Sequence, residues 1–248
     1  MSDPAIHIEH LAFQYPGQPN LFFSDLNLEV PAGSRFGLFG PNGAGKTTLM
    51  SLMTGLFPYH QGAIRLLGKT LIQHDRTIQP LFGYVPQDFS FYQELSPAEN
   101  LEFFGAWSGL QRSAIKKRTI ELLDILGLSD VHNKPVHLFS GGMKRRVNLA
   151  IAVIHNPRIL FLDEPTVGVD VQSRHAIIHY LKSLNENGTT LVYTSHQLSE
   201  AEELCEQIAL IDEGKIIACD GLSPLLQAHR QEGLEGLFLS LTGRAYRD

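Results

Sequence analysis

Gly40-Pro41-Asn42-Gly43-Ala44-Gly45-Lys46-Thr47-Thr48 is the stretch that decides the fold. It satisfies G-x-x-x-x-G-K-[ST], a pattern that binds phosphate when a strand precedes it and a helix follows. The apolar run Phe36-Gly37-Leu38-Phe39 supplies the strand, and Thr47 to Thr54 reads as the first turns of a helix. The glycines permit positive φ and let the backbone turn its N–H groups toward a phosphate. The helix N-terminus adds a partial positive charge, Lys46 adds a full one, and Thr47 offers a hydroxyl of the kind Mg²⁺ takes as a ligand. The stretch predicts a site for a nucleoside triphosphate.

Working outward, Ile6 to Phe13 and Leu26 to Val30 alternate as half-buried strands do, with a turn at Pro16-Gly17-Gln18-Pro19-Asn20 between them. Gly62 to Leu67 and Leu81 to Val85 are also strand-like. Residues 88–155 change character. Glu99 to Gly109 and Ser113 to Leu126 have helical spacing, the latter with Leu122, Leu123, Ile125 and Leu126 on its apolar side. Ser140-Gly141-Gly142 opens another helix, on which Met143, Val147, Ile151 and Ile154 recur. This span predicts an inserted helical lobe. Lys144, Arg145 and Arg146 read as a solvated face of that helix.

Core character returns at Ile159-Leu160-Phe161-Leu162, a run too short for a helix. A helix follows from Val171 to Asn187, stopped by Gly188, and then a β-branched strand from Thr189 to Ser195. A hairpin is expected to turn at Glu213-Gly214. Alternating strands and helices predict an α/β protein with a mainly parallel sheet covered on both faces. The organisation expected is one unit: a core from 1–87 and 156–220, the lobe at 88–155 and a tail at 221–248.

The whole chain sets bounds on function. It has 248 residues, 43% of them hydrophobic and 19% charged, and a formal net charge of −6. That balance argues against a dedicated nucleic-acid surface, although a local basic patch is compatible with it. Two cysteines, Cys205 and Cys219, form no metal-like pair and suit a reducing compartment. The first residues lack the basic and apolar regions of a signal peptide, and no apolar run approaches the ~18 residues of a membrane span. Any membrane component is expected on another chain.

The second chemical constellation is Asp163-Glu164-Pro165-Thr166 at the end of the apolar run. A carboxylate at the C-terminal end of a strand beside the phosphate loop can hold Mg²⁺ through its water shell. Asp163 takes that part. Glu164 is then the candidate to polarise the water that attacks the γ-phosphate. Ser140 can cap its helix while Gly141 and Gly142 leave the N-terminus bare, making a second anion site.

Taken in order, the phosphate loop, Gln87 in Tyr84-Val85-Pro86-Gln87, Phe139-Ser140-Gly141-Gly142-Met143, Ile159 to Thr166, Gly168-Val169-Asp170 and His196 resemble an ATP-binding cassette (ABC) ATPase over nearly the whole chain. The resemblance implies a P-loop NTPase core with an N-terminal antiparallel β part and the inserted lobe. It implies ATP and Mg²⁺ as cofactors, and a head-to-tail pair with a second nucleotide-binding subunit, expected to be a copy of this chain. In that pair Ser140, Gly141 and Gly142 of one subunit would close over the γ-phosphate held by the other. Gln87 would sense Mg²⁺ and the attacking water, His196 would contact the γ-phosphate, and Asp170 would organise the dimer interface. Tyr15 would stack on adenine, with Phe13 as its competitor. Two positions depart from the family pattern: Met143 stands where Gln is usual, and Val167 where Ser is common.

Ser-Gly-Gly-Met-Lys-Arg-Arg and the tail Leu237 to Gly243 resemble the branch that exports drugs, lipids and polysaccharides through separate membrane subunits. That implies a peripheral place on the cytoplasmic side of the membrane and a separate permease subunit, for which Phe89-Ser90-Phe91-Tyr92 is the candidate contact. Rival readings lack their own signatures in this sequence. A soluble ABC ATPase acting on nucleic acid or ribosomes would usually carry long coiled-coil or tandem insertions, which this chain lacks. A P-loop GTPase needs Asn-Lys-x-Asp, but Asn133-Lys134 continues Pro135-Val136. A small-molecule kinase would leave Ser-Gly-Gly and Asp-Glu without a joint explanation.

Overall fold

Backbone hydrogen bonding sorts the strands of this computed structural model, which describes residues 3–73, 75, 77–195 and 198–243, into two sheets. The first is antiparallel. It contains β1 (Ile6–Phe13), β2 (Phe23–Val30), β4 (Gln61–Leu66) and the short β5 (Lys69–Thr70), in the order β2-β1-β4-β5. The second contains β3 (Arg35–Phe39), β6 (Phe82–Val85), β7 (Ile159–Asp163), β8 (Thr190–Thr194), β9 (Gln207–Asp212) and β10 (Lys215–Gly221). Its order is β10-β9-β3-β8-β7-β6, parallel throughout except for the β9–β10 hairpin. Glu213 and Gly214 turn that hairpin with φ of 46° and 76°, the paired positive values that match the twist of two-residue hairpins.

The parallel sheet is buried on both sides, so the middle positions of its inner strands are apolar in succession rather than at every second one. Phe36, Leu38, Ile159, Phe161, Val192, Ala209 and Ile211 face a core shared with the antiparallel sheet and with helix α1 (Lys46–Met53). Phe39, Leu160, Leu162, Leu191, Tyr193, Ile208 and Leu210 face the opposite core. That second core takes in the helices α2 (Pro97–Trp107), α3 (Arg112–Ile125), α4 (Gly141–Val153) and α5 (Val171–Glu186). Short helices α6 (Leu198–Leu204), α7 (Leu222–His229) and α8 (Leu234–Thr242) close its edge. Each fully buried Leu, Ile or Phe contributes about 1.5–3 kcal/mol of transfer free energy.

Most predicted elements are present, with shifted ends. β2 begins three residues early, at Phe23. α2 begins at Pro97 because Ser96 and Glu99 form a reciprocal capping box. On α3 the expected apolar side is narrower than the spacing suggested: Ile115, Leu122 and Leu123 are buried, whereas Ile125 is exposed. α4 is the reverse case, buried from Val147 to Val153 around its whole circumference, because it passes between the sheet and the other helices. Among the described residues no helix is long and apolar enough to cross a membrane.

Candidate active site

The phosphate loop runs from the end of β3 to the start of α1. Its glycines are required by packing at two points, and at one of these by conformation as well. A Cβ on Gly40 would lie 2.0 Å from the Ile211 carbonyl oxygen, so only glycine lets the loop pass against β9. Gly45 has φ of 111° and a Cβ there would strike the Phe22 ring at 2.6 Å. The loop therefore delivers Lys46 at the first position of α1, buried and at hydrogen-bond distance from the loop's own carbonyls. Nζ donates to Gly40 O at 2.7 Å and Pro41 O at 3.1 Å. Burial holds the Lys46 amine below its ordinary pKa, with Glu164 and Asp163 pulling the other way.

The carboxylates come from the end of β7, two strands away across β8. Asp163 pairs in register with Thr194 on β8, and the Thr194 hydroxyl donates to Asp163 Oδ1 at 2.6 Å. Thr47 donates to the same oxygen at 3.4 Å. Asp163 Oδ2 is buried and has no hydrogen-bond partner among the described residues. Burial raises the Asp163 pKa against the pull of Thr194 and Thr47. A buried carboxylate oxygen without a donor, beside a threonine hydroxyl, is a hard-oxygen set that suits Mg²⁺. No group of three His, Cys, Asp or Glu among the described residues could hold a metal alone, so a cation here would need phosphate oxygens as well.

Glu164 is placed by strain. It has φ of 50°, a left-handed conformation that costs a non-glycine residue on the order of 1 kcal/mol. Its N–H donates to Thr194 O and to Thr194 Oγ1, both at 3.2 Å. The turn swings the carboxylate off the strand axis, where Gln87 Nε2 donates to Oε2 at 3.0 Å. Behind it, Thr166 and Tyr193 donate to the buried Glu200 carboxylate at 2.5 and 2.7 Å.

Lys46, Thr47, Gln87 and Glu164 line one cleft of about 420 Å³ together with Tyr15, Val167 and other loop residues, and the buried Asp163 reaches it through Thr47. A larger cavity, about 550 Å³, lies elsewhere, between Leu56, Phe82, Tyr84 and Trp107. Tyr15 stands edge-on to Phe13 and Phe22, with ring centroids 4.9 and 5.4 Å apart, and its hydroxyl bonds to Thr48 Oγ1. Phe13 is buried among Phe23 and Phe57 and does not line the cleft. Asn42, Gly43, Thr47 and Thr48 line it, while Ala44 is buried behind the loop.

Ser140, Gly141 and Gly142 do not line that cleft. Ser140 caps α4, accepting from Met143 N at 3.3 Å. Gly142 is buried against the start of α5, where a Cβ would lie 2.8 Å from Ser173 Oγ and 3.0 Å from Asp170 Oδ2. Asp170 caps α5 by accepting from Ser173 N at 2.9 Å, and that bond holds its carboxyl below the usual range. The two glycine-flanked helix starts, at α1 and at α4, are thus separate. His196 lies outside the described residues.

Two features were missed from sequence. Thr194 completes the Asp163 site, and its signal was available as a threonine at the end of the strand next to Asp163. Arg145 corrects the expectation of a solvated basic face. It is 5% exposed; its Nη1 donates to Pro86 O at 3.1 Å and Gln87 O at 2.8 Å. Arg146 donates to Leu126 O at 2.8 Å. These guanidinium groups cap loop carbonyls that no helix or strand satisfies, so a run that looks like surface charge is partly internal.

A family model described as "ABC transporter" matches residues 23–167, a span holding the phosphate loop, Ser140-Gly141-Gly142 and Asp163-Glu164. The chain belongs to the ABC transporter family. Among curated ABC relatives, the linearmycin resistance ATP-binding protein LnrL of Bacillus subtilis (strain 168) is 43% identical over 78% of this chain and 62% of its own length. The Nod factor export ATP-binding protein I of Ralstonia nicotianae is 38% identical over 88% of this chain and 67% of its own length. Daunorubicin resistance ATP-binding protein DrrA3 of Streptomyces coeruleorubidus is 36% identical over 92% and 71%. The chain therefore spans about 60–70% of the length of these relatives. Among solved structures, an ATP-binding subunit of an ABC transporter superposes with a TM-score of 0.88 at 27% identity, covering 96% of this chain and 99% of that one. A dimeric, post-hydrolysis ATP-binding cassette, MJ0796 bound to ADP and Pi, gives 0.80 at 25% identity, covering 88% and 98%.

Proposed function

We propose that the chain is the ATP-binding and ATP-hydrolysing subunit of an exporter, working as a pair with a second nucleotide-binding subunit and driving a separate permease. The observation that carries this is the convergence of Lys46, Thr47, Gln87 and Glu164 on one cleft, with the buried Asp163 bonded to Thr47 and Ser140-Gly141-Gly142 held away from it. The names of the exporter relatives support the direction of transport.

The chemistry follows from placement. Loop N–H groups and Lys46 take the phosphate charge, which requires Lys46 to leave the Gly40 and Pro41 carbonyls. Thr47, Asp163 and Gln87 are the residues that would hold Mg²⁺, which would supply further charge neutralisation on the phosphate oxygens. Glu164 accepts the proton of the attacking water, whose oxygen bonds to the γ-phosphorus as the bond from that phosphorus to the bridging oxygen of the leaving ADP breaks, while the Gln87 amide fixes the carboxylate. Tyr15 offers adenine a π-face. His196 is assigned to the γ-phosphate by resemblance. Ser140, Gly141 and Gly142 close over the partner's nucleotide, and Asp170, at the adjoining helix start, borders that contact. Met143 and Val167 remove no group that this chemistry uses.

We assign residues 1–87 and 156–220 to the core, 88–155 to the lobe and 221–248 to the tail. Closing and reopening of the pair moves the lobes, and that motion drives the permease from the cytoplasmic face. Phe89 and Tyr92 are exposed, as are Leu56 and Trp107 at the larger cavity and Phe103 stacked on Trp107, a patch of the kind that marks a protein contact. The test is ATP turnover with and without Mg²⁺, by wild type and Glu164→Gln. Turnover that needs Mg²⁺ and falls by about 10²–10⁴-fold in the variant is expected; turnover unchanged by the substitution refutes the assignment. A mild-detergent pull-down should recover a membrane subunit.

A further inference from the structure

The segment from Pro86 to Ser90 forms neither helix nor strand, yet it carries Gln87, whose amide lies 3.0 Å from Glu164 Oε2. What fixes its backbone comes from the signature helix α4. Arg145 Nη1 donates to both Pro86 O and Gln87 O. One turn on, Asn148 Nδ2 donates to Pro86 O at 3.4 Å while its Oδ1 accepts from Ser90 Oγ at 3.2 Å. The Phe89 ring lies over the guanidinium, 4.9 Å from its centroid. Burying a cation costs free energy that two carbonyls and a ring only partly offset, and Arg145 Nε has no partner among the described residues. A side chain held at such cost suits a positional task. An apolar residue of the same length would fill the space as well but would hold neither carbonyl.

We propose that Arg145 is a positioning residue for hydrolysis: it pins the Pro86 and Gln87 carbonyls so that the Gln87 amide stays on Glu164. The inference rests on the ATPase reading above. Its consequence is a mechanical tie within one chain. The helix that begins at Ser140, and serves the partner's nucleotide, is bolted five residues later to the loop that serves its own. Displacement of α4 on pairing would then move Gln87 relative to Glu164.

The test is a double-mutant cycle between Arg145→Met and Gln87→Ala in the full chain, measuring ATP affinity by calorimetry and kcat by phosphate release. Arg145→Met is expected to lower kcat about tenfold with ATP affinity changed less than about twofold. In the Gln87→Ala background the same substitution should cost less than about twofold, because the group it positions is gone. Equal losses in both backgrounds, or a loss confined to affinity, would overturn the proposal. If Arg145→Met melts more than ~5 °C below wild type, Arg145→Lys carries the cycle. That variant keeps the charge but not the forked donors, and about a threefold kcat loss that vanishes without Gln87 is expected. A wild-type chain that neither binds nor hydrolyses ATP would instead overturn the functional reading, and this inference with it.

Discussion

Two helix starts in this molecule offer backbone N–H groups to an anion, and they differ in everything around them. At α1 the approach is enclosed: Gly40 and Gly45 are wedged against β9 and Phe22, Lys46 is buried, and Asp163 and Glu164 arrive from β7. At α4 the start is open. Ser140 is exposed and caps its own helix, and the nearby Asp170 carboxylate is turned to cap α5. The first start is a chemical site. The second has the backbone of an anion site and none of its catalytic groups, as expected of a part that acts on another chain's ligand.

Substitutions at the two starts should separate in kind. Lys46→Ala removes a charge-assisted contact worth about 2–3 kcal/mol. ATP affinity measured by calorimetry should fall by roughly 30- to 150-fold, and unchanged affinity would place the phosphates elsewhere. Ser140→Arg should leave ATP binding by the single chain within about twofold while weakening ATP-dependent pairing about tenfold or more. A drop in intrinsic affinity would show instead that both starts serve one nucleotide. Tyr15→Ala should weaken ATP by about 1 kcal/mol, the size of a stacking contact.

The smallest effect concerns stability. The Asp163 pKa is raised in the folded chain, so the folded state holds that proton more tightly than the unfolded state does. Stability from this group is therefore present at low pH and is lost as pH rises through the folded pKa. At neutral pH the ionised carboxylate is a cost. Asp163→Asn should raise the melting temperature of the nucleotide-free chain at neutral pH, and narrow that gain in acid, while removing Mg²⁺-dependent turnover. A lower melting temperature would mean that the contacts of the charge with Lys46 and Thr194 outweigh its burial.

The legibility of the two starts also differed. The loop at α1 declares itself because glycine spacing is dictated by close approach and positive φ, which few other residues tolerate. Asp163 was legible because four apolar residues precede it on a buried strand. The surroundings of α4 were less so. Arg145 looked like surface charge because the carbonyls it satisfies lie 58 and 59 residues away, and no local pattern encodes such a partner. Thr194 joins Asp163 only through strand register. Ile125 was misjudged for the related reason that helical spacing fixes a face but not its width. Local backbone demands are written in sequence; long-range polar pairings are written in topology.

If one chain holds half a working site, Glu164→Gln with saturating ATP and Mg²⁺ should sediment as a species of twice the single-chain mass. With ADP it should sediment at single-chain mass, and adding Ser140→Arg should abolish the doubled species. A Glu164→Gln chain that binds ATP at saturation and still sediments at single-chain mass would contradict the half-site reading.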